Sequence, residues 1–559
     1  MILEKYFNKK NIELAWERVV RSSERDSKDY YGIGLWNNYV DQECRRLSEE
    51  LISKKWKASR PFKLYMPKPN LMQRTITRLN IEDAIVYQAF ANILGEKYYS
   101  SLTTYSESVF GSVLSPDVQK GVELLDEKDP NFYFFQFYLP LYKKFAKSVN
   151  HAVKEEGNSY QLATDITGFF DSIPHFNLLE MLSDRYDVED DVLELFSEWF
   201  NQWSGTRENY TFGVGIPQGP QPSFFMANLL LYPLDDMAAK YGLPYYRYMD
   251  DIRIYSENRE LLSEVLVEMD TYLRGFSLSL NSSKTSIEKL TPEKQNNAVV
   301  TLNFMPYGND LSSLANDSDK SNFEEEIDSE RSIEDLEIDV HEWTYVGSLE
   351  NQEEIIEAAG EVHKTATEDI KDLMGSVDDS DSIDKSLDRE FMRLASQFRS
   401  SLKILRDRNE EFETILPAKD WLSLIDWFPW RCNHFCWSLQ YYDVDSSLKE
   451  GILDLTRKFR HHEWIVSELV KILGRTQEFT TSELRVYLRK VHTYESPLVR
   501  EAWYKLLIWH SPNKPFRKSL SIVLKSEKET HIKKGLLYDI SKKENGEVNI
   551  DGLFNLAGL

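Results

Sequence analysis

The sequence predicts an α+β region followed by an all-α region, and three observations carry that expectation. From about residue 155 to 305, short β-rich runs, YQLATDI and YYRYMDDIRIYS, alternate with stretches of helical period. From about 391 to 540 one helical pattern follows another, with similar lengths and short polar joints. Between these regions, residues 310–390 are acidic, rich in serine and poor in large apolar side chains.

Taken in order, the chain divides into four segments. Residues 1–60 read as an N-terminal helical region, because LEKYFNKKNIELAWERVVRSS places apolar residues three and four apart. Residues 61–305 form the mixed region. Pro61, Pro67 and Pro69 punctuate an extended piece, RPFKLYMPKPN, and a helix follows in which Ile81, Ala84, Ile85, Gln88 and Ala89 recur with helical spacing. YQLATDI reads as a strand ending in an acid, YYRYMDDIRIYS as a hairpin with carboxylates at its turn, and ELLSEVLVEMDTYLRGF as an amphipathic helix. Residues 306–390 read as an acidic linker or insertion, although ENQEEIIEAAGEVHKTATEDIKDLMG keeps a helical pattern. Residues 391–559 hold DSSLKEGILDLTRKFR, EWIVSELVKILGR, SPLVREAWYKLLIWHS and similar helices. They are expected to stack in pairs as a solenoid, each pair burying its apolar face on the next.

A net charge of −25 over 559 residues argues at first against a nucleic-acid partner. The acids are concentrated, however: residues 310–390 hold 27 Asp and Glu against 6 Lys and Arg, so the remainder carries only −4. A local basic channel is compatible with that distribution. Three cysteines, Cys44, Cys432 and Cys436, make no disulfide framework and suit a reducing cytoplasm. The start of the chain lacks a signal-peptide pattern, and no run of about 18 apolar residues suggests a membrane span.

The chemistry lies in an ordered set of motifs. Asp165 ends an apolar strand in LATDITGFFDSIPH; GIPQGPQPSFFMANLLL is a Gly- and Pro-rich loop leading into a helix; Asp250 and Asp251 lie between two strands in YMDD; and LSLNSSKTSI offers Lys284. An Asp-Asp pair at a turn is ordinarily a solvated turn. A strand-end acid and a hairpin acid, in this order, can be held side by side by one sheet. Joining a nucleotide to a 3′ end uses two divalent ions roughly 3.5–4 Å apart. Hard oxygen ligands of this kind suit Mg²⁺, with Mn²⁺ as the alternative.

At these residues the chain resembles reverse transcriptases, over roughly residues 60–290. Asp165 is similar to the acid of their motif A, GIPQGPQPS to the motif B loop, and Tyr248-Met249-Asp250-Asp251 to motif C. MPKPNLMQRTITRLNIEDAIVYQAF resembles the fingers of the bacterial, group II intron-like branch. The resemblance implies a right-hand fold of fingers and palm, with Asp165, Asp250 and Asp251 catalytic and Asp165, Ile166, Asp250 and Asp251 at the metals. It places Phe169, Phe170, Gln218, Tyr248 and Met249 near the nucleotide, with Lys68 and Arg74 on the triphosphate and Lys284 as a general acid. Phe170, five residues after Asp165, would exclude a 2′-hydroxyl by bulk and so favour dNTPs. Viral RNA polymerases share the palm, but they usually carry a second acid at that fifth position and Ser-Gly in motif B.

The helical second half is similar to that of bacterial abortive-infection and defence-associated reverse transcriptases, which pair a palm with a HEAT-like helical-repeat domain. The resemblance implies antiviral defence, with dNTPs, an RNA template (in some members a dedicated non-coding RNA) and a DNA product as partners. It leaves open a homo-oligomer or a partner defence protein. Template-independent or protein-primed synthesis by the same site is one alternative, and a non-catalytic scaffold or toxin acting through the helices is another. The chain departs from the family in its primer grip, for which VVTLNFMPYG is the nearest candidate, and Gly111 is only faintly similar to the usual Phe-Arg motif. Cys432, His434 and Cys436 lack a second ligand pair at zinc-finger spacing, and the cysteines read as buried thiols in the aromatic cluster WFPWRCNHFCW. Basic residues on the later helices, Arg485, Arg489, Lys490, Arg500 and Lys505, could line a nucleic-acid groove or form a solvated face.

Overall fold

A computed structural model describes residues 2–22, 30–37, 39–68, 71–128, 130–155, 157–207, 209, 211–291, 352–377, 385–407, 416–475 and 479–546. Most of the acidic segment and the primer-grip candidate VVTLNFMPYG lie outside the described residues. The chain forms two compact units, Met1–Leu64 with Thr75–Phe304, and Tyr65–Arg74 with Met305–Leu559.

In the first unit the expected N-terminal helices are α1 (Ile2–Phe7), α2 (Lys9–Arg21), α3 (Tyr30–Trp36) and α4 (Val40–Ile52). They do not stand apart from the mixed region, as a separate first segment would. Asn11 on α2 donates its side-chain amide to the Ala89 carbonyl at 2.8 Å, and Arg18 donates to Asn92 at 2.6 Å. Both partners lie on α5 (Ile81–Leu102), the helix predicted from Ile81, Ile85 and Gln88, all of which are buried. A buried amide or guanidinium without such a partner would be costly, so these contacts bind the N-terminal helices into the same core.

The extended piece at the prolines is a hairpin of β1 (Phe62–Pro67) and β2 (Gln73–Arg78). The remaining helices of this unit are α6 (Tyr138–Lys154), α7 (Phe169–Ser172), α8 (His175–Tyr186), α9 (Asp190–Trp203), α10 (Gln221–Tyr241) and α11 (Arg259–Gly275). They surround an antiparallel sheet of β3 (Tyr160–Thr164), β4 (Tyr245–Tyr248), β5 (Asp251–Ser256) and β6 (Ser286–Lys289), in the order β4-β5-β3-β6. Leu162, Ile252 and Ile254, on one face of the sheet, are fully buried, so a one-residue slip would carry them out of the core.

The second unit is helical among its described residues apart from the hairpin tip. Its helices are α12 (Gln352–Gly375), α13 (Lys385–Asp407), α14 (Ala418–Trp427), α15 (Cys432–Leu439), α16 (Ser446–Lys458), α17 (Glu463–Leu473), α18 (Thr481–Lys490), α19 (Pro497–Trp509), α20 (Lys514–Lys525) and α21 (Thr530–Glu544). They pack as consecutive pairs, α12 with α13 through to α20 with α21. The second helix of each pair also packs on the second helix of the next, so α13, α15, α17, α19 and α21 form one layer, and α14 packs on α16. Amphipathic helices joined by short turns can bury their apolar stripes only by stacking in this way. Cys432 and Cys436 are buried free thiols in this unit, and His434 is buried against Arg399.

Candidate active site

The central strand β3 pairs with β5 so that Tyr160 faces Ser256 and Thr164 faces Ile252. One further step along that antiparallel register sets Asp165 opposite Asp251. The same end of the sheet receives the β4–β5 connection: Tyr248 pairs with Asp251, leaving only Met249 and Asp250 as the turn. Met249 has a φ of 56°, a left-handed conformation at the first loop position, which a two-residue hairpin of this twist requires. A side chain there costs strain that surrounding contacts must hold.

Asp165 is fixed through its backbone, whose carbonyl accepts from the Asn281 N–H at 2.8 Å. Its Oδ2 accepts from the Lys284 ammonium, while Oδ1 is buried without a hydrogen-bond partner among the described residues. Asp251 is paired with Arg253, two residues on and therefore on the same face of β5. Burial pushes the Asp251 carboxyl above the ordinary range, the Arg253 charge opposes that rise, and the neighbouring Asp165 charge adds to it. Asp165 and Asp251 are thus close enough to repel, with Lys284 and Arg253 as their counter-charges. Asp250 is half-buried at the turn. Among the described residues no three His, Cys, Asp or Glu side chains converge tightly enough to form a ready metal cage.

Of the other expected site residues, Ile166 is buried and bridges to Leu280 beside Asp165. Phe169 and Phe170 sit on the single-turn α7, and the Phe170 ring meets Phe224 of α10 edge-on at 5.2 Å. The Gln218 carbonyl accepts from the Thr77 N–H of β2 at 2.7 Å, which ties the Pro217-Gln218-Gly219 loop to that strand. Gly215 has a φ of 88°, and a Cβ there would stand 3.1 Å from the Asp171 carbonyl oxygen. Tyr248 is buried, with its ring edge-on to Tyr142 of α6 at 5.0 Å, so it anchors the turn. Lys68 and Arg74 lie on the β1–β2 hairpin, in the segment that groups with the second unit. Lys284 is exposed, and its ammonium rests on the Asp165 carboxylate.

Sequence reasoning missed the support beneath the turn. Arg247, 1% exposed, donates to both oxygens of buried Asp235 at 2.8 and 2.6 Å. Its remaining nitrogen donates to the Asn228 side-chain oxygen at 2.9 Å and the Met249 carbonyl at 3.1 Å. Burial alone would lower the Arg247 pKa, but the Asp235 charge outweighs it and leaves the guanidinium more firmly protonated than usual. Asn228 in turn donates to the carbonyls of Gly111 and Ser112. A Cβ on Gly111 would fall 2.9 Å from the Met249 Cγ and closer still to its backbone nitrogen. Gly111 therefore serves as the floor on which the turn rests.

Residues 112–347 match the family described as reverse transcriptase (RNA-dependent DNA polymerase). No curated protein matches the chain. A chain of a partial Cas6-RT-Cas1–Cas2 complex is similar at 16% identity and a TM-score of 0.27, over 55% of this chain and 47% of its own. This chain thus spans about half the length of that one. Telomerase from Candida tropicalis, solved with a fragment of telomeric RNA, is similar at 11% identity and a TM-score of 0.27, over 81% of this chain and 67% of that one. Telomerase from Candida albicans is similar at 10% identity and a TM-score of 0.28, over 86% and 68%. The family match spans the first acid, the motif B loop and the hairpin pair whose geometry is described above. Residues 112–347, less than half of the chain, are thus similar to a reverse-transcriptase domain.

Proposed function

We propose that the chain adds dNTPs to a DNA end on an RNA template, by two-metal chemistry at Asp165, Asp250 and Asp251, in antiviral defence. The observation that carries this reading is the register that sets Asp165 against Asp251, with a buried Asp165 oxygen that no donor satisfies. A carboxylate oxygen left in that condition is expensive unless a cation completes it. The donors are hard oxygens, so the residues fit Mg²⁺ or Mn²⁺, held by the three carboxylates with Ile166 beside them. When bound, such ions supply acidity to the 3′-hydroxyl and offset the charge of the triphosphate.

The chain's own groups do the rest. Lys284, at the Asp165 carboxylate, is in place to give a proton to the departing pyrophosphate. Phe170, braced by Phe224, excludes the 2′-hydroxyl, and Gln218 meets the template side of the incoming base. Lys68 and Arg74 take the triphosphate as charge-assisted donors. The defence role, and the reading of the paired helices as a HEAT-like solenoid, rest on the resemblance to defence-associated reverse transcriptases. The purified chain, given a primed RNA, dNTPs and Mg²⁺, is expected to extend the primer only while the RNA is intact. The same product after ribonuclease treatment would favour untemplated synthesis instead.

A further inference from the structure

The basic residues on the last helices divide into two groups. Arg500 is buried and paired with Glu527 at 2.7 and 2.9 Å, and Lys505 pairs with Glu501 at 3.0 Å, so both are structural. Arg485, Arg489 and Lys490 on α18, and Lys514, Lys518 and Lys525 on α20, are all exposed. None of these six makes an ion pair among the described residues. The acid on α18, Glu483, is already held by Lys449 and by the Thr480 cap, and α20 carries no acid at all. Between Phe479 and Gly546, 14 Lys and Arg stand against 7 Asp and Glu, in a chain whose net charge is −25.

Their placement is as regular as their charge. Arg485 and Arg489 lie one helical turn apart, as do Lys514 and Lys518, and Lys525 continues the α20 stripe eleven residues on from Lys514. The two helices share a neighbour, α18 packing on α19 and α20 packing on α19 and α21. Like charges at such spacing repel and weaken a helix. With no ion pair among the described residues to relieve them, they suit an external polyanion of regular charge spacing.

We propose that the outward side of α18 and α20 is a second nucleic-acid surface, which grips the phosphate backbone of a strand without reading its sequence. The surface rests on the charges alone; the choice of a nucleic acid over another polyanion follows from the reverse-transcriptase domain. Sequence-independent backbone binding has a defined signature, because each neutralised phosphate releases counterions and steepens the salt dependence of affinity.

The test uses the full chain and fluorescent single-stranded RNA and DNA of mixed sequence. Two variants are compared with the parent: one with Arg485, Arg489, Lys514, Lys518 and Lys525 all changed to Gln, and one in which each Arg becomes Lys and each Lys becomes Arg. The Gln variant is expected to bind at least about tenfold more weakly at low salt, with a log–log salt slope shallower by about 2 or more. The charge-preserving variant is expected to keep affinity and slope. Circular dichroism checks that both variants remain folded. Unchanged affinity and slope in the Gln variant would overturn the proposal. So would loss of binding to anionic phosphatidylserine vesicles with strand binding intact, which would reassign the surface to lipid.

Discussion

From a position almost closed to solvent, the Arg247 guanidinium donates to the Met249 carbonyl at 3.1 Å while both Asp235 oxygens hold it from the other side. The strained turn between β4 and β5 is thereby tied to α10 through a buried ion pair. Removing one member of such a pair strands the other charge in the core, which costs about 3–5 kcal/mol. Asp235→Ala is expected to lower unfolding stability by that order, measured in urea. Asp235→Leu with Arg247→Met is expected to recover much of the loss while dNTP incorporation stays depressed. Normal incorporation in that double variant would mean the turn holds its shape unaided.

Gly111 offers a sharper probe of the same support. A methyl group there meets the Met249 backbone and side chain, so the turn must move. Gly111→Ala is expected to reduce kcat by about tenfold or more, because small misplacements of catalytic groups are expensive. Wild-type turnover would show that the turn tolerates displacement.

Phe170 tests sugar selection. Phe170→Ala and Phe170→Val are expected to raise ribonucleotide incorporation relative to dNTPs by at least about tenfold. Discrimination that stays the same in both, with the fold retained, would leave Phe170 as a packing residue against Phe224.

Asp83 gives the fold a pH dependence. It is 1% exposed, and burial pushes its carboxyl up to about 7, against the pull of hydrogen bonds from Ser59 and Trp203. An acid whose folded pKa is raised contributes stability that is complete below its unfolded pKa of about 3.9 and is lost as pH rises through the folded value. The Tm of the parent, measured from pH 4 to 8, is therefore expected to fall relative to Asp83→Asn as pH rises toward 7. Parallel Tm curves would show that Asp83 titrates normally.

The parts legible in the sequence were those with short-range signatures. The strand ending at Asp165 and the hairpin around Asp250 follow from β-rich runs punctuated by acids, and the helices from their apolar period. What escaped depends on distant pairing. Arg247 reads as one more charge in a strand and Asp235 as one more in a helix, until the fold buries both. Lys284 gains its meaning only because β6 runs beside β3 and brings the preceding loop to Asp165. The N-terminal helices read as a separate segment because the partners of Asn11 and Arg18 lie on a helix more than seventy residues away.

The central claim is that Asp165, Asp250 and Asp251 form one metal-dependent site for DNA synthesis. Primer extension by the Asp250→Ala/Asp251→Ala protein, beside a circular dichroism melt, addresses it most directly. No incorporation above background is expected with either Mg²⁺ or Mn²⁺, from a protein that melts within a few degrees of the parent. Extension at the parent's rate by the doubly substituted protein would contradict it.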